Sequence, residues 1–209
     1  MELQYFDISP LVSESIGVFP GDVTYSRQES LSFQSGDNLE LSAIKSTLHL
    51  GAHADAPSHY HREGVGIDQR PLQYYYGDCQ VIHVRKPRGS RIYPEDIAHS
   101  EVRAPRILLA TMSFPNPNNW NSDFNALSAA LVEDLAGKGV ITLGIDTPSI
   151  DPESDKVLES HKTIFKHNMA ILEGLVLVDV PEGVYQLVAL PLKLQHADAS
   201  PVRAILVKN

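Results

Sequence analysis

His49, His53, Asp55 and His59 share one short segment, His49-Leu50-Gly51-Ala52-His53-Ala54-Asp55-Ala56-Pro57-Ser58-His59-Tyr60. Histidines four apart can share a helix face, but Gly51 and Pro57 argue against a helix here. The pattern predicts an extended chain instead. Its odd positions would then project to one side, and Ala52, Ala54 and Ala56 to the other, where small side chains let the backbone pack closely. Three imidazoles and a carboxylate on one face are costly without a cation, and with a divalent metal they become a ligand set. Imidazole nitrogen and carboxylate oxygen suit zinc, and also manganese or cobalt. The single cysteine, Cys79, leaves no second thiolate for a sulfur site. The competing explanation, histidines that merely cap or hydrogen-bond turns, suits a lone histidine better than this spacing.

The elements that must position these groups read as short aliphatic strands between turn clusters. Runs at 107–110, 140–145, 175–178, 187–190 and 204–207 are bounded by Gly, Pro or Asp and predict buried strands. Leu39, Leu41 and Ala43 alternate with polar residues, as in a half-buried strand. Two helices are expected. One starts at the N-cap Ser128, buries Leu131, Val132, Leu135 and Ala136, and stops at Gly137 and Gly139. The other runs over 156–166 and carries His161 on the same inward face as Val157, Leu158, Ile164 and Phe165. Strands outnumber helices without a regular βαβ alternation, which predicts an α/β class with a mixed β-sheet and few helices. Residues 113–123, with two prolines and four asparagines, read as irregular.

The other histidines invite structural roles. His83 falls in a strand, His99 in a helix, His167 and His196 near element ends, and His61 beyond Pro57 on the surface. Tyr74-Tyr75-Tyr76 reads as core or as a contact between subunits. At 209 residues, 43% hydrophobic and 21% charged, the chain reads as one globular domain spanning 1–209 that needs no disulfide. The segment Met1 to Asp7 lacks a basic start and a long apolar run, so no signal peptide is expected, and no stretch is long enough for a membrane helix. A cytoplasmic location is the corresponding expectation. The net charge of −9 argues against a nucleic-acid partner, and the basic run Arg85-Lys86-Pro87-Arg88 with Arg91 reads as a solvated turn.

The segment from Gly51 to Tyr60 resembles the signature of the cyclase-like metal-dependent hydrolases, and its Gly-Ala-His form resembles the bacterial kynurenine formamidase branch of that family. The similarity extends to Phe19-Pro20-Gly21-Asp22, to 144–152, to Ile171-Leu172-Glu173-Gly174-Leu175-Val176-Leu177, to Ala189-Leu190-Pro191-Leu192 and to 198–204. It implies a swivelling β/β/α fold, usually in a homodimer, and two zinc ions per subunit. By this resemblance His49, His53 and Asp55 would hold one metal, His161 and Glu173 the other, and Asp55 would bridge them. His59 would be the catalytic acid/base, and Phe19, where the formamidases carry Trp, would line the substrate pocket. Phe still stacks on an aryl group but offers less area and no indole N–H.

The implied activity is hydrolysis of an aryl formamide, N-formyl-L-kynurenine, to kynurenine and formate. Two cations sharing a carboxylate lower the pKa of water toward neutrality and make zinc-bridging hydroxide available as the nucleophile. His59 would pass a proton to the departing aniline nitrogen. Two rivals stay open. One is another cyclase-like hydrolase, opening isatin, a cyclic imide or a lactone; the other is a non-catalytic scaffold in which zinc only holds the fold.

Overall fold

The computed structural model describes residues 3–208; Met1, Glu2 and Asn209 lie outside it. In chain order the strands are β1 (Gln4–Asp7), β2 (Ser26–Leu31), β3 (Leu41–Lys45), β4 (His53–Asp55), β5 (Tyr76–His83), β6 (Arg91–Ile92), β7 (Arg106–Ala110), β8 (Ala126–Leu127), β9 (Thr142–Ile145), β10 (Ala170–Glu173), β11 (Gly183–Val188), β12 (Ala199–Pro201) and β13 (Ile205–Lys208). The helices are α1 (Pro57–Tyr60), α2 (Ala129–Gly137) and α3 (Glu159–Lys166). Nine strands form one mixed sheet in the order β1-β13-β11-β5-β7-β9-β10-β4-β12. Its centre, β5-β7-β9-β10, is parallel, and β4 runs antiparallel to β10 and β12. The α/β class with few helices is therefore the observed one.

The parallel strands are covered on both faces, which is why they read as unbroken aliphatic runs. On β7, Leu108 and Ala110 join one buried cluster, while Ile107 and Leu109 join the other. The first cluster also takes Ala52, Ala54 and Ala56, and the second takes Leu131, Val132 and Leu135 of α2 and Ile164 of α3. Ser128 caps α2 as expected, its Oγ accepting the Leu131 N–H at 3.1 Å. Tyr74 and Tyr75 are core residues, whereas Tyr76 is exposed. Among the described residues no helix is long and apolar enough to cross a membrane.

Several expectations need correction. Residues 175–178 are not a strand. The strand lies just before them, and Gly174, at φ +64°, turns the chain out of it. Leu175 and Leu177 are nevertheless buried, and the Val176 N–H donates to Ile8 O at 2.9 Å, so the run is a wall of the core. The second helix starts at Glu159 rather than 156, because Asp155 accepts the Val157 and Leu158 N–H groups in a turn and Leu158 sits at φ +56°. β3 is exposed along its whole length, since β2 and β3 form a two-stranded sheet of their own. The segment after Ala56 is not extended: Pro57 opens one helical turn, the position in which proline's missing N–H costs nothing. His99 lies just past a 3-10 turn at Pro94–Ile97 and not inside a helix, and His61 is half-buried, stacked on Phe165 at 3.6 Å.

Candidate metal centre

β4 does most of the positioning. It is buried along its length, and its pleat puts His53 and Asp55 on one face and Ala54 on the other. In the antiparallel register with β10, His53 is paired with Glu173 and Asp55 with Ile171. Two residues 120 positions apart thus become direct cross-strand neighbours. Gly51, at φ +55°, turns the preceding chain so that His49 returns over the same face. The close approach is tight: a Cβ on Gly174 would lie 2.1 Å from the Gly51 carbonyl oxygen.

His161 comes from the first turn of α3. That helix has no local side-chain cap, and Asp151 supplies one from a distance. Its carboxylate accepts the Ser160 and His161 N–H groups at 3.1 Å and also the His161 Nδ1–H at 2.8 Å. Arg91 donates to the same carboxylate at 2.8 Å. The hydrogen bond to Nδ1 leaves Nε2 of His161 free to face the cluster, the arrangement commonly found behind metal-binding imidazoles. His53 is oriented in the same way, its Nδ1 donating to Gly51 O at 2.9 Å.

The remaining atoms converge. Asp55 Oδ1 lies 3.0 Å from His49 Nδ1 and 3.4 Å from His53 Nε2, while Oδ2 lies 3.5 Å from His161 Nε2. Glu173 Oε2 is 3.2 Å from His53 Nε2, and its Oε1 is 3.7 Å from His161 Nε2 and accepts the Ile150 N–H. Despite these distances, His53 Nε2 and both oxygens of Asp55 are buried with no hydrogen-bond partner. Buried polar atoms are rarely left so, and lone pairs that meet without a proton between them fit a shared cation. Two groups of three have all ligating atoms within 4.8 Å, His53-Asp55-Glu173 and His49-Asp55-His59, with Asp55 common to both. The five expected ligands are brought together; the second trio also puts His59 within reach of a metal.

Electrostatics agree with the donor chemistry. Burial opposes charge on His53 and His161, yet the surrounding carboxylates outweigh it and lift both imidazoliums to about 10. Asp55 is itself disfavoured by burial, but His161, His49 and His53 hold it well below the usual carboxylate range. The pocket thus demands positive charge, which a divalent cation would supply with the imidazoles neutral. His59 differs, since burial pushes its pKa below the ordinary value. It sits on α1 with its ring 4.1 Å from that of His49, and its Nδ1 is 3.8 Å from Asp198 Oδ2.

Phe19 reaches the same opening from the N-terminal segment. Pro20 and Gly21, the latter at φ +93°, make a tight turn closed by the Asp22 N–H on Phe19 O at 2.9 Å. Phe19 stays 48% exposed and packs edge-on against Trp120 at 5.7 Å. A cavity of about 520 Å³ is lined by Phe19, Trp120, His49, His59, His161 and Glu173.

Residues 6–152 match the sequence family described as "Putative cyclase". The chain belongs to the cyclase family. Within it, a kynurenine formamidase of Bordetella pertussis is 46% identical over 202 residues, covering 96% of both chains. The solved structure of a "predicted metal-dependent hydrolase from Bacillus stearothermophilus" is 28% identical, with a TM-score of 0.85 and full coverage of both chains. Isatin hydrolase A from Labrenzia aggregata, 19% identical, shares the fold at a TM-score of 0.80 over 98% of this chain and 93% of its own. The cyclase-like architecture expected from the histidine segment is therefore the one observed.

Three groups in this cyclase-family site escaped the sequence. Asp151 and Asp198 stand behind His161 and His49, the latter pair at 3.1 Å. Asp198 reaches His49 across 149 residues and Asp151 reaches His161 across ten, and neither position carries a local pattern that assigns it this role. Trp120 lies in the irregular 113–123 segment, where no periodicity marks it; being the only tryptophan was its one signal.

Proposed function

We propose that this cyclase-family protein is a metal-dependent arylformamidase that hydrolyses N-formyl-L-kynurenine to L-kynurenine and formate, a step of tryptophan degradation. The observation that carries the proposal is Asp55, whose two buried oxygens face separate nitrogens and have no hydrogen bond. The 46% identity to a kynurenine formamidase supports the substrate. Two divalent cations, zinc by ligand type, would supply Lewis acidity and a water whose pKa falls toward neutrality. His49, His53 and Asp55 would hold one, and His161 and Glu173, with Asp55 shared, the other.

The chain's own groups then have distinct tasks. Gly51 O and Asp151 fix the imidazole tautomers so that Nε2 of His53 and of His161 faces inward. His59, lowered by burial and therefore neutral near pH 7, accepts a proton from the attacking water and returns it to the aniline nitrogen as the C–N bond breaks. Phe19 and Trp120 wall the opening and exclude water from the aryl group. The homodimer implied by the resemblance and the cytoplasmic location expected from the sequence remain part of the same proposal.

The test is turnover by purified, zinc-loaded protein, read as formate release from N-formylkynurenine or formanilide and as isatinate formation from isatin. Turnover of N-formylkynurenine with little of isatin is expected. Isatin opening without formamide cleavage would point to the other branch, and inertness toward all three, with metal bound, would support the scaffold.

A further inference from the structure

The space over the cluster divides at Trp120. On one side lies an apolar cavity of about 170 Å³, with Ile16, Met112, Phe114 and Val176 in its walls. On the other, the cavity that contains His59 is rimmed by Asp22, Glu153, Asp155 and Lys156. His49, Trp120 and Pro148 belong to both. Two of the rim acids are already engaged: Glu153 accepts the Trp120 indole N–H at 2.6 Å, and Asp155 pairs with Arg91 at 2.5 Å. Asp22 keeps one oxygen free, the other accepting the Val23 N–H. Lys156 is exposed at the same rim, and none of the ion pairs among the described residues involves it.

Resting on the formamidase proposal, we infer that the polar cavity holds the α-amino-acid end of the substrate, with the Lys156 ammonium on its carboxylate and Asp22 on its α-ammonium. The aryl ring then lies in the same cavity against Phe19 and Trp120, and the formamide meets His59. A plain aryl formamide has no use for either charge, whereas an amino-acid tail presents both at one end. The cation matters because the chain carries a net charge of −9 and repels carboxylates at long range. A ligand in the cavity also covers the ammonium and strengthens a contact that water would otherwise screen.

The experiment compares two substrates on the zinc-loaded protein: N-formylkynurenine and 2-formamidoacetophenone, which keeps ring, ketone and formamide but lacks the amino-acid group. Lys156→Met should lose about 5- to 20-fold in kcat/KM on the first, mostly through KM, and stay within about twofold on the second. Lys156→Arg should restore most of the loss. Trp120, the only tryptophan, gives a readout independent of turnover: quenching by kynurenine should weaken in Lys156→Met, and quenching by 2-aminoacetophenone should not. A variant that loses equally on both substrates, or on neither, overturns the assignment and leaves the formamidase proposal standing. Wild-type protein inert toward both substrates overturns the formamidase proposal and this assignment with it.

Discussion

Four histidines meet at the cluster, and His59 is the one without an anchoring hydrogen bond. His49 is held by Asp198, His53 by Gly51 O and His161 by Asp151, whereas His59 has only the Asp198 carboxylate at 3.8 Å, beyond hydrogen-bond reach. An imidazole that must take up and return a proton needs that freedom; a ligand does not. His59→Ala should therefore keep its metal and its melting temperature while kcat falls about 10²- to 10⁴-fold. Loss of metal from the variant would make His59 a ligand, the role its place beside His49 and Asp55 also permits. Phe19 can be tested at the same scale. Half exposed, it is not an ordinary core residue, so Phe19→Ala should cost well below the roughly 3–5 kcal/mol of a buried phenylalanine. It should raise KM more than it lowers kcat, and Phe19→Trp should retain activity, as measured by steady-state kinetics beside thermal melts. A strongly destabilised Phe19→Ala whose folded fraction has unchanged kinetics would remove the residue from the site.

Among the elements, the contact between the Gly51 turn and the end of β10 sets the tolerance of the whole cluster. Gly174→Ala would place a methyl group on the Gly51 carbonyl and force a left-handed backbone on alanine, the latter alone costing about 1–3 kcal/mol. The expected result is a lower melting temperature together with weaker metal binding, because Glu173 and His49 are levered apart. Unchanged metal affinity in a destabilised variant would show that the cluster does not depend on this contact. The same elements show what a sequence reveals. α2 was legible because its signals are local: Ser128 as cap and apolar residues in helical period. β4 was legible through the alternation of His53, Ala54 and Asp55. α1 was not, since proline stops a helix from within yet starts one at its first position. β10 was masked by the stronger aliphatic run that follows it, and Gly174 marks the boundary only once its backbone angle is known. Of the carboxylates behind the ligands, Asp198 meets its histidine only through folding across 149 residues, and Asp151, ten residues before His161, carries no periodic signal that marks its role.

At the scale of the whole molecule, the cluster joins the segment at 49–55 to two neighbouring segments far downstream, the start of α3 and the end of β10. Five donors from these segments are too many for one tetrahedral zinc, so metal analysis should give about two ions per chain. A value near one, unchanged by added zinc, would refute the binuclear arrangement. Asp55→Ala should lose both ions, and Glu173→Ala mainly one. Because cations bind the assembled cluster and not the separated segments, chelation should lower stability by about 2.7 kcal/mol for each ion removed, relative to protein held at a hundredfold excess over Kd. For a chain of this size that is a fall of about 5–10 °C in melting temperature, readable by calorimetry.

The place of β4 in the sheet has a consequence for synthesis. Its two neighbours, β10 and β12, both lie far downstream, with Glu173 some 120 residues after His53. At about 5–20 residues per second, the ribosome needs roughly 6–24 s to make that distance. Throughout this interval the strand bearing His53 and Asp55 has neither of its partners, and its histidines are open to any soft cation in the surroundings. Loading of the proposed metals must therefore wait for the last quarter of the chain, when His161 and Glu173 join the segment at 49–55.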